Sequence, residues 1–211
     1  MYRILVMFVM AMTSIGQMAR DVVKLPAPRT TGGMSLDHAL VARRSVREFA
    51  STPLTWSEIG QLLWAAQGIT HDEGKRTAPS AGATYPLELY VATADGLFVY
   101  RPNGHSVTRV TERDVRRAIQ HAAGEQDAIN APAIFAFAAV PARTAARYGD
   151  RAMRYVQIEI GHAGQNLLLE AAALGLGAVP VGAFDDAGLH RVLGLAADRA
   201  VLYLVPVGHL R

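Results

Sequence analysis

Between about Asp150 and Leu174 the residues Met153, Val156, Ile160, Ala163, Leu167 and Leu168 recur at helical spacing, and Gly175 follows where such a helix would stop. No other stretch of the chain keeps a periodic pattern this long. A helix with so much apolar surface is too greasy for a solvent-facing role, so it must sit at the centre of a domain under other elements. Those elements have to come from the rest of the chain.

The flanking sequence supplies them. Ser35 can cap a helix through roughly Arg44, with Leu36, Ala39 and Leu40 on one face. Thr55-Trp56-Ser57-Glu58 has the form of a capping box, and Leu54 and Ile59 stand where a hydrophobic staple would put them. That helix buries Ile59, Leu62, Leu63 and Ala66 and ends at Gly68. Glu88 to Thr93 reads as a strand. Leu97 to Arg101 and Ser106 to Val110 flank Pro102-Asn103-Gly104-His105, a hairpin signal. Thr111 is placed to cap a helix carrying Val115, Ala118, Ile119 and Ala122. Ala133 to Val140 is a near-continuous apolar run bounded by prolines and reads as a buried strand. A strand near Ala178 to Val181, a helix from about Asp186 to Leu193 and a strand from Ala200 to Val207 close the chain. Strands and helices alternate irregularly and a hairpin is present, which argues for an α+β domain and against a doubly wound parallel sheet.

With 211 residues, 51% of them hydrophobic and 18% charged, the chain is long enough for one domain with one sizeable core. The first 16 residues stand apart. Arg3 precedes the apolar run Ile4 to Met12, and Ser14 and Gly16 are small, so residues 1–16 read as a secretory signal and the mature protein as periplasmic or exported. If the run is retained, it reads as a helix on the body and the protein as cytoplasmic. The run is too short to span a bilayer. Residues 17–34, with Leu25-Pro26-Ala27-Pro28 and Gly32-Gly33, read as an extended linker, and 35–211 as the folded domain.

The net charge of +3 comes almost entirely from arginine, because lysine occurs only at Lys24 and Lys75. No long basic run or aromatic-basic stripe appears, so nucleic acid is not the expected partner. The absence of cysteine removes disulfides, iron–sulfur clusters and thiolate nucleophiles. The seven histidines are scattered. Glu159-x-x-His162 is one isolated pair without the second that a di-iron bundle needs, so no metal is expected. There is no G-x-x-x-x-G-K-[ST] loop, no G-x-G-x-x-G after a strand and no G-x-S-x-G elbow.

Three segments carry chemistry. Arg43-Arg44-Ser45-Val46-Arg47 puts three guanidiniums and a hydroxyl within five residues, a donor set suited to the oxygens of a phosphate. A solvated basic patch at a helix C-terminus would look the same. Arg76 to Pro86 holds small residues between two prolines, a fixed loop whose backbone a ligand can reach, or an ordinary surface loop. Gly175 to Asp185 is rich in glycine, so a flat ligand could lie against its backbone; a helix stop followed by a strand explains Gly175 and Gly177 equally well.

Taken together, "RRSVREF", "RTAPSAGATYPLELYV", "YVQIEIGHAGQNLLLEAAALGLGAVPVGAFD" and "LVPVGH" resemble, in order and spacing, the nitroreductase family of flavoproteins. Within it they are most similar to the group of SagB-type dehydrogenases and azoline oxidases. The resemblance covers about Gly32 to Gly208. It implies a mainly antiparallel sheet flanked by helices, with FMN at the interface of a homodimer. It implies that Arg43, Arg44, Ser45 and Arg47 hold the phosphate and ribityl chain. Pro79, Ser80, Ala81, Gly82 and Ala83 would reach the flavin of the partner subunit, and Val181, Gly182 and Ala183 would pass the ring, with a backbone N–H near N5. Many relatives continue into a longer tail whose basic residues touch the phosphate; here only Arg211 could serve. The azoline oxidases carry a Lys-Tyr pair that aligns loosely with Arg147-Tyr148, and an arginine holds its proton too tightly to act as a base near neutral pH. The implied activity is hydride transfer from NAD(P)H to a small organic acceptor by a ping-pong scheme, with no side chain assigned a catalytic role. Oxidation of a peptide azoline, and flavin binding without turnover, are the alternatives.

Overall fold

The computed structural model describes residues 21–211. The signal-like segment 1–16 lies outside them. Seven strands form one sheet in the order β1-β4-β3-β2-β5-β7-β6, and every pairing between strands is antiparallel. The strands are β1 (Val22–Lys24), β2 (Leu87–Thr93), β3 (Gly96–Arg101), β4 (Ser106–Thr111), β5 (Ala133–Ala139), β6 (Leu176–Ala178) and β7 (Ala200–His209). Six helices accompany them: α1 (Leu36–Ala42), α2 (Trp56–Gln67), α3 (Arg116–Ala122), α4 (Pro141–Tyr148), α5 (Ala152–Ala173) and α6 (Asp186–Val192). The α+β expectation therefore holds.

The core follows from the pleat of the central strands. β5 is buried along all seven residues, so its alternate side chains feed two cores. Phe135 and Phe137 point to one side, where α2 and α5 bring Leu62, Leu63, Val156, Ala163 and Leu167. Ile134, Ala136 and Ala138 point to the other, where α3 and α6 bring Ile119 and Leu189. The long helix α5 lies against α2, as its apolar character demands.

Local rules set several boundaries. The side chain of Ser35 accepts from the N–H of His38 at the start of α1. Thr55 and Glu58 form the full reciprocal capping box of α2. Three departures have physical causes. The helix expected from Thr111 begins only at Arg116, because Thr111 is used as the last residue of β4. Part of the expected linker is recruited to the sheet: Val22–Lys24 pairs with Ser106–Thr108 as an edge strand. The late strand is Leu176–Ala178, earlier than expected, and Val181 continues it only as a single bridge to Leu204.

Candidate functional site

The arginine-rich turn is seated on the sheet edge. After α1 ends, Ser45 makes a parallel bridge with Ala178, and the N–H of Val46 donates to the Ala178 carbonyl at 3.0 Å. A Cβ on Gly177 would lie 2.7 Å from Val46 Cγ1, so glycine there permits close packing of the turn and does not open a berth for a ligand. The three guanidiniums then diverge in use. Arg44 folds back and donates to the carbonyls of Val41 and Arg43, both at 2.8 Å, capping α1. Among the described residues no ion pair engages Arg43 or Arg47. The turn therefore presents two uncommitted positive charges beside the exposed hydroxyl-bearing Ser45.

Arg211 arrives at the same turn from β7. Its Nε donates to the Phe49 carbonyl at 3.1 Å and its Nη1 to Glu48 at 3.4 Å. The guanidinium is thus partly spent on holding the chain end.

The glycine-rich segment leaves β6 along the same edge. Val181 has both backbone groups bonded to Leu204, at 2.8 and 3.0 Å, so its N–H is not free for a ligand. Gly182 and Ala183 are exposed, and a Cβ on Gly182 would meet nothing within 4 Å. The open backbone that a flat ring needs is therefore at Gly182 and Ala183. Gly182 lies four residues past Ala178, within about 14 Å of extended chain.

The proline-bracketed loop is built differently. Pro79 to Ala83 rests on α4 and α5 and shares no hydrogen bond or strand pairing with the arginine turn of the same chain. The N–H of Tyr85 donates to Ser80 Oγ at 2.9 Å. Gly82, Ala83 and Tyr85 all have positive φ, at 58°, 53° and 43°. Arg147 of α4 reaches the Gly82 carbonyl at 3.4 Å, and a Cβ on Gly82 would lie 2.8 Å from both Arg147 Nη1 and Tyr148 Oη. Arg143 of the same helix bonds the Tyr85 carbonyl at 3.2 Å and Glu88 at 2.7 Å, while Arg199 holds the other Glu88 oxygen at 2.7 Å. Burial opposes ionisation of Glu88, but the hydrogen bonds from Arg199 and Arg143 outweigh it and hold the carboxyl below the usual range.

Polar side chains lie behind this loop; the sequence marks Arg76 only as the start of the loop and Glu159 only as half of an isolated pair, and does not single out Gln67. Arg76 Nη1 donates to Gln67 Oε1 at 2.6 Å, and its guanidinium lies 4.3 Å from the centre of the Tyr85 ring. Glu159 of α5 is buried beside Ser80 and Arg76, and burial raises its carboxyl above the usual range despite their opposing pull. His162, its partner in the Glu-x-x-His pattern, is exposed, so the two do not converge.

The residues present fit a phosphate-bearing planar group: two unpaired guanidiniums and a hydroxyl sit at one end of an edge whose other end is open glycine backbone. The sequence profile described as the Nitroreductase family matches residues 40–209. A Methanocaldococcus jannaschii protein described as a nitroreductase is 44% identical over 182 residues, 83% of this chain and 91% of that one. The crystal structure of a protein from Ralstonia eutropha, also described as a nitroreductase, is 31% identical, covers 90% of both chains and superposes with a TM-score of 0.83. The NADPH-flavin oxidoreductase of Vibrio harveyi is 27% identical over 81% of this chain and 63% of its own length. Fold and sequence thus lead to one placement: the chain belongs to the Nitroreductase family.

Proposed function

We propose that this oxidoreductase binds FMN between two copies of the chain and passes hydride from NAD(P)H to a small organic acceptor of nitroaromatic or quinone type. The observation that carries the reading is the docking of Ser45–Val46 on β6, which sets Arg43 and Arg47 on the edge that leads to Gly182 and Ala183. When bound, FMN would supply a ring that takes up and releases hydride. The protein's own part is orientation and charge. Arg43 and Arg47 would offset the phosphate, with Ser45 donating a further hydrogen bond. Arg44 would add charge and the N–H groups of Nε and Nη2, since only its Nη1 caps α1. The N–H groups of Gly182 and Ala183 would point at the ring edge, and Val181 would fix where that backbone lies.

A second copy completes the site. On one chain the loop Pro79–Ala83 is held by α4 through Arg147, whereas the turn docks on β6, and among the described residues no hydrogen bond or strand pairing joins the two. The loop is therefore offered to another copy's edge. Exposed apolar side chains favour such pairing: Leu36, Leu40 and Val41 on α1 and Met153 and Ile158 on α5.

One observation favours a second reading, a SagB-like dehydrogenase acting on a peptide azoline. Arg147 and Tyr148, at the position loosely aligned with that group's Lys-Tyr pair, lie directly over Gly82. Tyr148 would then be the group facing the substrate.

The test is to purify the protein, record flavin absorbance, and follow bleaching by NADPH without oxygen, then recolouring on addition of a quinone, a nitroaromatic or an azoline peptide. Bleaching and recolouring by a free acceptor are expected. A protein that cannot be loaded with FMN removes the proposal. Oxidation of only the azoline selects the second reading, and FMN without turnover leaves a flavin carrier. Sedimentation of an FMN-loaded monomer would exclude the shared site. The signal reading of residues 1–16 is tested by mass spectrometry of the mature N-terminus.

A further inference from the structure

Where β2 begins and β3 ends, a cavity of about 150 Å3 opens. It has room for roughly five waters and is too small for a nucleotide. None of the residues assigned above to FMN lines it. Its charge is one-sided: the guanidiniums of Arg76, Arg101 and Arg143 line it against one carboxylate, that of Glu88. Glu88 is already held by Arg143 and by Arg199, each at 2.7 Å. Arg101 gives its Nε to Thr108 Oγ1 at 3.3 Å, and Arg76 gives its Nη1 to Gln67 Oε1 at 2.6 Å, both neutral acceptors. Among the described residues neither arginine has an ion-pair partner. Glu159 is buried in the same region but does not line the cavity, and burial favours its neutral form.

Two uncompensated positive charges therefore face one small space whose other walls include the buried side chains of Leu87, Leu89 and Tyr100. Apolar walls of low dielectric strengthen the pull of such charges on an anion. Burial draws the Arg76 guanidinium below its ordinary value despite the opposing pull of Glu159 and Tyr85, and the charge of Arg143 adds a repulsion that a bound anion would relieve. A larger cavity, of about 670 Å3, is also lined by arginines, but there Arg116, Arg117 and Arg211 are matched by Asp114, Glu125 and Glu48. The small cavity lacks such matching.

We propose that this cavity is a separate anion site, taking a small oxyanion, a free phosphate or a carboxylate, between Arg76, Arg101 and Arg143. Arg101 and Arg143 are exposed and Arg76 is half-buried, so an anion can enter from solvent and meet all three. Guanidinium groups suit it because each offers paired N–H donors to oxygens of either kind. An occupant would bind the same two arginines that hold Tyr85 at the end of the loop, Arg143 through its carbonyl and Arg76 over its ring. The inference goes beyond the FMN reading and does not rest on it.

The test is calorimetric titration of the FMN-loaded protein, whose arginine turn is then occupied, with sodium phosphate and separately with sodium acetate at constant ionic strength. One anion per chain is expected to bind. Binding of phosphate alone assigns a phosphate as the occupant, and acetate binding as tightly or more tightly assigns a carboxylate. Arg76→Gln and Arg101→Gln should each weaken the anion by about tenfold or more, the loss of one charge-assisted contact. Lys75→Gln removes an exposed positive charge that does not line the cavity and should stay within about twofold of the parent, since salt screens it. A parent that binds neither anion, an unchanged affinity in Arg101→Gln, or an equal loss in Lys75→Gln would overturn the proposal. If Arg76→Gln does not fold, Arg101→Gln, at an exposed position, decides by the same criteria. If the parent never loads FMN, the functional reading fails alone, because the same titration of the Arg43→Ala/Arg47→Ala protein, with the charge of the turn removed, still reports on the cavity.

Discussion

The arginine turn and the proline-bracketed loop serve one proposed ligand by opposite means. The turn is attached by its backbone to β6, and it leaves the guanidiniums of Arg43 and Arg47 without ion-pair partners among the described residues. The loop is locked by its own bonds: Ser80 to Tyr85, Arg143 to the Tyr85 carbonyl, Arg76 over the Tyr85 ring. One region stores unsatisfied charge, the other stores backbone strain. Binding strength should therefore come from the turn and exactness of fit from the loop. Substitutions that separate affinity from stability test that division.

The largest effect should come from the turn. Arg43→Ala with Arg47→Ala removes two charge-assisted contacts, each worth about 1.5–3 kcal/mol. FMN affinity should fall by about 100-fold or more, while the melting temperature of the flavin-free protein changes little, because neither side chain has an ion-pair partner among the described residues. Fluorescence titration beside a thermal melt checks both. A large loss of stability would mean that the arginines hold the fold together.

The loop should behave the other way. Gly82→Val forces a β-branched residue to a φ of 58° and pushes against Arg147 and Tyr148. Strain of this kind costs about 1–3 kcal/mol. Both stability and FMN affinity should fall, the latter about tenfold, seen as a lowered melting temperature and a weaker titration from one sample. An affinity loss with an unchanged melt would show that the loop is not under strain.

What the sequence disclosed follows the same line. Thr55 with Glu58, the apolar run of β5 and the periodic face of α5 obey rules that act within a few residues, so they were readable. So was the arginine turn, whose signal is sheer local density of charge. Helix α4 was not foreseen, because among Pro141–Tyr148 only Thr144 is buried and no apolar period marks it. The meeting of Arg76 with Gln67 was silent: the sequence marks Ser80 as a flavin contact, Arg76 as the start of the loop and Glu159 as half of an isolated pair, with no sign that α2, α5 and the loop pack these residues near one another. Val181 shows a related limit: its place in the motif was visible, but its commitment to Leu204 was not.

Acid should disturb the loop side before the turn side. Glu88 is held by Arg143 and Arg199 with its side chain 11% exposed. Its carboxyl titrates below the usual range in the folded protein, so this stabilisation is complete above the ordinary carboxylate value and is lost as pH falls through the lowered one. Glu88→Gln should cost about 1–3 kcal/mol near neutrality. The difference from the parent should shrink below about pH 4. Urea unfolding at both pH values reads it, and a constant difference would assign Glu88 a role unrelated to its charge.

The smallest effect sharpens the comparison most, because it concerns an arginine at the turn that is built like one of the loop. Arg211 spends its Nε on the Phe49 carbonyl and approaches Glu48 with Nη1, in contrast to Arg43 and Arg47. Its Nη1 lies within reach of an exposed carboxylate, a pairing worth little in water. If uncommitted charge is what the turn contributes, Arg211→Ala should weaken FMN binding by less than about threefold and leave the salt dependence of binding unchanged, whereas Arg43→Ala flattens it. The two variants titrated at low and high salt give the answer directly. A loss at Arg211 as large as that at Arg43 would mean that its bonds to Phe49 and Glu48 are exchanged for the phosphate on binding, and that the turn, like the loop, is organised in advance by contacts within its own chain.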